Sequence, residues 1–344
     1  MEIEAVLLGV TLVLGGSTEP RPIDPADFRA WFEAASHGRL RIPESVERRA
    51  QGFRYVFVAG LRNESMPNYF AQNTAELRAR GVPRRSIHRI APSSDRSVEE
   101  NLESVRDEFL RIADEGPERL VVIAHSRGAC DALAFALRDP DFVRDRVEAL
   151  FLVQGPFGGT GLADYVLGEG PALDGRMPPI ARGLAWVLAG LERSLVARGR
   201  HGGLAALTRD ASTSYWRRAL EEHADAIPTV GPKVYYVESE CAPSHLGLFR
   251  RATARYLGAY YGPNDGVVAV ADQSLPGLGT RLGCLGAGHA DLTRSGLATQ
   301  AGRRTRRALV ASILMAVGHS DDDPSEAAEP RPHGRRSDRR SRPR

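Results

Sequence analysis

Lysine is almost missing from this sequence: Lys233 stands alone against 45 arginines, a skew that fits GC-rich coding better than any one site. Cysteine is also sparse. Cys130, Cys241 and Cys284 are too few and too scattered for a zinc motif or a disulfide framework, and leave room for one bridge only, Cys241 to Cys284. Long apolar runs are absent as well. The run Ala5 to Leu14 falls far short of the roughly 18 residues that a membrane span requires. Glu2 and Glu4 stand where an export signal carries positive charge, so this run is expected to be a buried first strand of a soluble protein, with a cytoplasmic location favoured over export. A large charge of one sign is missing too. Seven basic residues sit between Arg331 and Arg344, and without them the body is slightly acidic, so no nucleic-acid partner is expected.

What remains is an ordinary globular balance, 42% hydrophobic and 26% charged over 344 residues, enough for one large α/β domain or two small ones. Short apolar runs alternate with longer amphipathic stretches, the pattern of a mainly parallel sheet flanked by helices. Strands are expected at Tyr55 to Ala59, Ser86 to Ile90, Leu120 to Ala124, Ala149 to Val153, Val234 to Val237 and Arg281 to Leu285. Helical periodicity marks Tyr69 to Arg80, Val98 to Asp114, Arg127 to Leu137 and Leu292 to Val317, and Ser97 with Glu100 forms a capping box for the second. The connection from Val153 to Val234 is far too long for an α/β loop and reads as an inserted, partly apolar helical cap, with helices at Ile180 to Ala197 and Ser212 to Ala224.

The segment RLVVIAHSRGACDALAFAL carries the chemistry. An apolar strand runs into Ala124-His125-Ser126-Arg127-Gly128 and straight on into an amphipathic helix, with small residues where a strand-to-helix turn is tightest. Such a turn holds a serine oxygen up beside a helix N-terminus; the plainer alternative is a serine capping a helix. A serine hydroxyl is a poor nucleophile at neutral pH and requires a base and an orienting acid, which on this kind of sheet follow it in the order acid, then histidine. His289, in the loop after the last strand, is the candidate base, with His245 as its competitor; His319 and His333 lie at or beyond the end of the last helix. Asp265, in Asn264-Asp265-Gly266, is the candidate acid or else a simple turn residue, with Glu238 and Glu240 behind it. His125 is expected to point away beneath the turn. An oxyanion hole requires two backbone N–H groups, expected from Arg127 and from Leu61 after the Gly60 turn, while Arg62 and Asn63 face either the pocket or solvent.

The serine segment resembles the nucleophile elbow of α/β-hydrolases, with Ala124 in place of the commoner glycine. The stretch Pro156-Phe157-Gly158-Gly159-Thr160-Gly161-Leu162-Ala163-Asp164 resembles one that follows the sixth strand of bacterial triacylglycerol lipases, with Phe157 replacing a histidine. Leu207-Thr208, Tyr235-Tyr236, Asn264-Asp265-Gly266-Val267-Val268 and His289-Ala290-Asp291 follow in that family's order, so the resemblance spans about Tyr55 to Thr293. It implies an α/β-hydrolase fold with residues 51–157 and 232–318 as core and 158–231 as helical cap; outside it, the prolines around Glu19 to Pro25 read as a connector, making 1–50 an N-terminal strand and connector, and the loss of apolar periodicity makes 319–344 a disordered Arg-rich tail. It also implies a lipase-like serine esterase with Ser126, Asp265 and His289 as triad, no cofactor, and a small-molecule ester or lipid as substrate, with transient contact at a lipid interface. The same triad would serve an acyltransferase, thioesterase or amidase, and a non-catalytic binding module is the remaining alternative. The cap, with the apolar run Leu184 to Leu188, is expected either to supply an acyl-chain pocket or simply to pack on the body. Related lipases often hold a structural Ca²⁺, to which Asp291 would be one ligand. The partner stretch Cys241 to His245 has no carboxylate, so no metal is expected and Asp291 is expected to cap the helix from Leu292.

Overall fold

A computed structural model describes residues 22–66, 68–171, 202–294 and 300–319. The expected strand Ala5 to Leu14, the helix Ile180 to Ala197 with its apolar run, and the tail from Ser320 lie outside the described residues. Six segments pair in parallel in the order β2-β1-β3-β4-β5-β6, with β1 at Arg54–Val58, β2 at Ile87–Ile90, β3 at Leu120–His125, β4 at Val147–Val153, β5 at Val234–Glu240 and β6 at Thr280–Gly286. A parallel strand pair requires a crossover, and the crossover helices cover both faces of the sheet. Accordingly β1 and β3 are buried along their whole length.

Alternate residues feed two cores. Val56, Val58, Val122 and Ala124 face α4 (Val98–Asp114) and α5 (Arg127–Arg138), whereas Tyr55, Phe57, Val121 and Ile123 face the opposite layer. That second layer holds α1 (Pro25–Ser36), α3 (Ala71–Ala79) and, after α9 (Leu248–Tyr260) in the chain, α10 (Gln300–Gly318), and α1, α3 and α10 contribute Phe28, Leu77 and Ile313. The capping box is present: Ser97 Oγ accepts the Glu100 N–H while the Glu100 carboxylate accepts the Ser97 N–H. None of the helices among the described residues is long and apolar enough to cross a membrane.

Three expectations require correction, and one possibility is closed. Residues 25–51, expected as connector, form α1 and α2 (Glu44–Gln51); Asp24 caps α1 by accepting the Ala26 N–H at 2.7 Å, and Pro25 occupies the first turn, where its missing N–H costs nothing. Within the expected cap, α7 (Gly161–Leu167) and α8 (Arg209–Glu222) form, but Trp216 of α8 is buried against Phe157, ring centroids 5.3 Å apart, so this part belongs to the core of the body. The last helix, expected from Leu292, does not begin there: Leu292 and Thr293 lie in a turn and Arg294 in a bridge, with the Thr293 carbonyl on the Phe70 N–H at 2.9 Å, and among the described residues the helix covers Gln300–Gly318. No Cys241–Cys284 bridge forms: Cys284 pairs across from Glu238, so Cys241 lies three residues farther along, an offset of roughly 10 Å where a disulfide spans at most about 7 Å.

Lys233 is buried just ahead of β5. Its ammonium donates to the carbonyls of Val143 (2.8 Å), Arg144 (2.8 Å) and Val147 (2.7 Å), closing the end of α6 (Pro140–Arg146) onto β4. The compact ammonium aims three donors at one cluster, whereas a planar guanidinium would not converge there. Lys233→Met takes one donor from each carbonyl, leaving Arg144 and Val147 with Arg119 and Val143 with the Val147 N–H, and urea unfolding should show a loss of about 1–2 kcal/mol that Lys233→Arg does not restore.

Candidate active site

In the strand order, β1 carries the chain outward to β2 while β3 carries it back toward β4. The connections that leave their paired carboxyl ends therefore run opposite ways and open a crevice, the place where ligands bind on open α/β sheets. Ser126 sits there, between β3 and α5, with φ 56° and ψ −134°, a conformation that side-chain-bearing residues rarely adopt. Its amide donates to Val153 O at 2.9 Å, which ties the turn to β4. The turn closes only because its neighbours lack a Cβ. One added at Gly128 would lie 2.5 Å from Ala59 O, and one at Gly60 would lie 2.8 Å from Ser126 Cβ.

Three of the sequence candidates come together. His289 Nε2 lies 2.9 Å from Ser126 Oγ, and His289 Nδ1 lies 2.8 Å from Asp265 Oδ2. A carboxylate only accepts, so Nδ1 carries the ring proton and Nε2 presents its lone pair to the serine hydroxyl. Asp265 is fully buried, and its other oxygen accepts the N–H groups of Val267 (2.9 Å) and Val268 (2.8 Å). The turn role and the acid position are thus divided between the two oxygens of one side chain. Backbone joins the loops as well, with the His289 N–H on Asp265 O at 2.9 Å.

The competitors lie elsewhere. His245 is exposed on a short 3₁₀ turn, Glu238 is held by both oxygens on Arg281 at 2.7 and 2.8 Å, and Glu240 is exposed. His319 ends α10 near Trp31, and His333 lies outside the described residues. His125 points away from the serine, as expected, and is buried beneath it.

Among the described residues no acceptor lies on the amides of Leu61 or Arg127, the two expected oxyanion donors. The Arg127 side chain turns away to the carbonyls of Ser93 and Arg96 and pairs with Asp131 at 3.4 Å. Burial pushes the Asp131 carboxyl up to about 6 against the lowering pull of Arg127. Asn63 faces neither pocket nor solvent; it is buried, and its amide bonds Gly60 O at 3.2 Å and Pro92 O at 2.8 Å. Because the peptide is planar, holding the Gly60 carbonyl also aims the Leu61 N–H. Asp291 caps no helix: its carboxylate accepts the Gly288 N–H at 3.0 Å and braces the histidine loop from inside.

Sequence reasoning missed Tyr69 and Gln154, which meet His125 from either side. Gln154 takes a positive φ of 53° at the end of β4, and no local sequence signal marks it.

No protein-family profile matches the chain, and no curated protein matches it. Solved structures do. A metagenomic carboxyl esterase shares 21% identity at a TM-score of 0.55, over 78% of this chain and 76% of that one. A lipase from Bacillus licheniformis, in its mature form, shares 15% identity at a TM-score of 0.51, over 76% of this chain and 88% of that one. At these identities the likeness is one of fold.

Gly128→Ala should push α5 off the end of β1 and destabilise the protein by about 1–3 kcal/mol, the usual cost of overpacking, measurable by thermal or urea unfolding. Wild-type stability in this variant would mean that the turn is looser than described.

Proposed function

The chain has the α/β-hydrolase fold, and from the site built on it we propose that it is a serine hydrolase that cleaves carboxylic esters through an acyl-enzyme. The observation that carries this reading is the unbroken contact from Ser126 Oγ through His289 to Asp265. Ser126 Oγ attacks the ester carbonyl carbon while its proton passes to His289 Nε2, and the carbonyl π electrons move onto oxygen. The oxyanion is met by the N–H groups of Leu61 and Arg127, with the N-terminus of α5 behind them. Asp265 holds the imidazole in the required tautomer and stabilises its charged form. Collapse expels the alkoxide, which takes the proton from His289, and water repeats the sequence to release the acid. These steps use only side chains and backbone of the chain itself. The substrate is a small-molecule or lipid ester; that the structural neighbours include a carboxyl esterase and a lipase supports an ester rather than an amide.

A fluorophosphonate probe should label the wild-type protein at Ser126, and Ser126→Ala should abolish labelling and lower ester turnover by roughly 10⁴–10⁶. His289→Ala should be about as damaging, and Asp265→Asn should cost about 10⁴, leaving more residual activity. Labelling that persists in Ser126→Ala would sink the assignment. A panel of p-nitrophenyl esters, acyl-CoA and amides separates hydrolysis of esters from the related acyl chemistries.

A further inference from the structure

Beneath the serine and the histidine lies a layer of buried polar side chains that ester cleavage does not itself require. Tyr69, just ahead of α3, is buried; its phenolic oxygen lies 3.2 Å from the Gly60 N and 2.5 Å from His125 Nδ1. Across the same imidazole, His125 Nε2 meets the carbonyl of His289 at 2.7 Å and Gln154 Oε1 at 3.0 Å.

Every proton in this layer can be placed by elimination. The His289 carbonyl has only lone pairs, so His125 Nε2 carries the proton. A second proton on Nδ1 would make a cation in a fully enclosed site facing His289; burial holds the His125 pKa well below the ordinary imidazole range, and His289 lowers it further. Nδ1 therefore accepts, so Tyr69 O–H donates to it, and the phenolic oxygen in turn accepts the Gly60 N–H. The Gly60 N–H points to Tyr69, Tyr69 points to His125, and His125 points to the His289 backbone. The two ends belong to loops that ester cleavage must hold in register, the loop offering the Leu61 N–H and the loop carrying the base. The last link joins residues 164 apart in sequence.

We propose that Tyr69 and His125 form a positioning relay that holds Gly60, and through it the following Leu61 N–H, against the backbone of His289, fixing the separation between oxyanion donor and base across Ser126. Neither side chain touches the reacting atoms. Asn63 holds the carbonyl of the Gly60–Leu61 peptide, and the relay holds the peptide before it, through the Gly60 N–H, so Gly60 is gripped on both sides. Without the phenol the Gly60 N–H and His125 Nδ1 both lose a partner in a buried place, and each loop settles without reference to the other. The proposal rests on the assignment of Ser126 and His289 given above.

The first test is Tyr69→Phe, which removes one oxygen and keeps the ring. It should lower kcat by about 10- to 100-fold, less than deletion of a whole oxyanion donor, with KM changed no more than about twofold. The rate of fluorophosphonate labelling should fall by the same factor at temperatures well below the melting transition. In a double-mutant cycle with His125→Asn, the pair should be about as slow as the slower single variant, whereas two independent packing defects would multiply. Where His125→Asn does not fold, nitrogen NMR of wild-type His125 tests the same arrangement, the expected form at neutral pH being uncharged with its proton on Nε2. A proton on Nδ1, or labelling of Tyr69→Phe at the wild-type rate, overturns the relay while leaving Ser126 as nucleophile. Failure of the wild-type protein to label at Ser126 overturns the assignment beneath it and the relay together.

Discussion

Everything at the site depends on how closely the turn at Ser126 approaches the end of β1. Its backbone is held at a positive φ that would cost about 1–3 kcal/mol in isolation. The surrounding structure over-determines it: the amide is tied to β4, Gly128 lies against the carbonyls of Val58 and Ala59, and Gly60 lies against the serine Cβ. From that approach follow the crevice between β1 and β3, the place of the Leu61 and Arg127 amides, and the side from which His289 arrives. A methyl group at either glycine would separate two strands that lie side by side over their whole length.

Polar satisfaction beneath the site is built in the same economical way. Asp265 spends one oxygen on its own turn and turns the other to His289, so a single carboxylate shapes the loop and orients the ring. Gln154 continues the layer from His125 to Ser239, whose amide and carbonyl are taken by Gln273, and Gln273 also reaches Val268 O behind the acid loop. A buried network of this kind rigidifies when complete and is costly when one member is missing. Its continuity from the end of β3 to the acid loop lets loops from four strands share one geometry.

The sequence made part of this legible and hid the rest for identifiable reasons. The four inner strands could be read because both faces of the sheet are covered there, which makes each a short apolar run, whereas the edge strands β2 and β6, broken by His88, Arg89, Arg281 and Gly283, were legible through their place in the strand-helix alternation. The limits of α4 were readable because its capping box is local. The elbow could be read because its small residues and the helix after it are adjacent in the chain. By contrast, α1 was hidden because Asp24-Pro25, a good helix start, lies in a stretch whose prolines read as a connector. The start of α10 was misplaced because the bond from Phe70 to Thr293 is tertiary. Tyr69 and Gln154 were invisible for the same reason on a larger scale: each matters through a residue dozens of positions away, and only the strand order brings them together.

The lone lysine has a consequence outside catalysis. In a chain whose other long cationic side chains are all arginine, the Lys233 ammonium is enclosed by three carbonyls and shielded from solvent. An acylating or alkylating reagent that seeks ε-amines therefore finds none on the folded surface, however basic that surface is. The amine becomes reactive only when β5 parts from the end of α6, so modification at this one position is a built-in chemical clock for opening of the sheet. Coupling to a solid support through side-chain amines would, for the same reason, capture opened molecules and leave folded ones in solution.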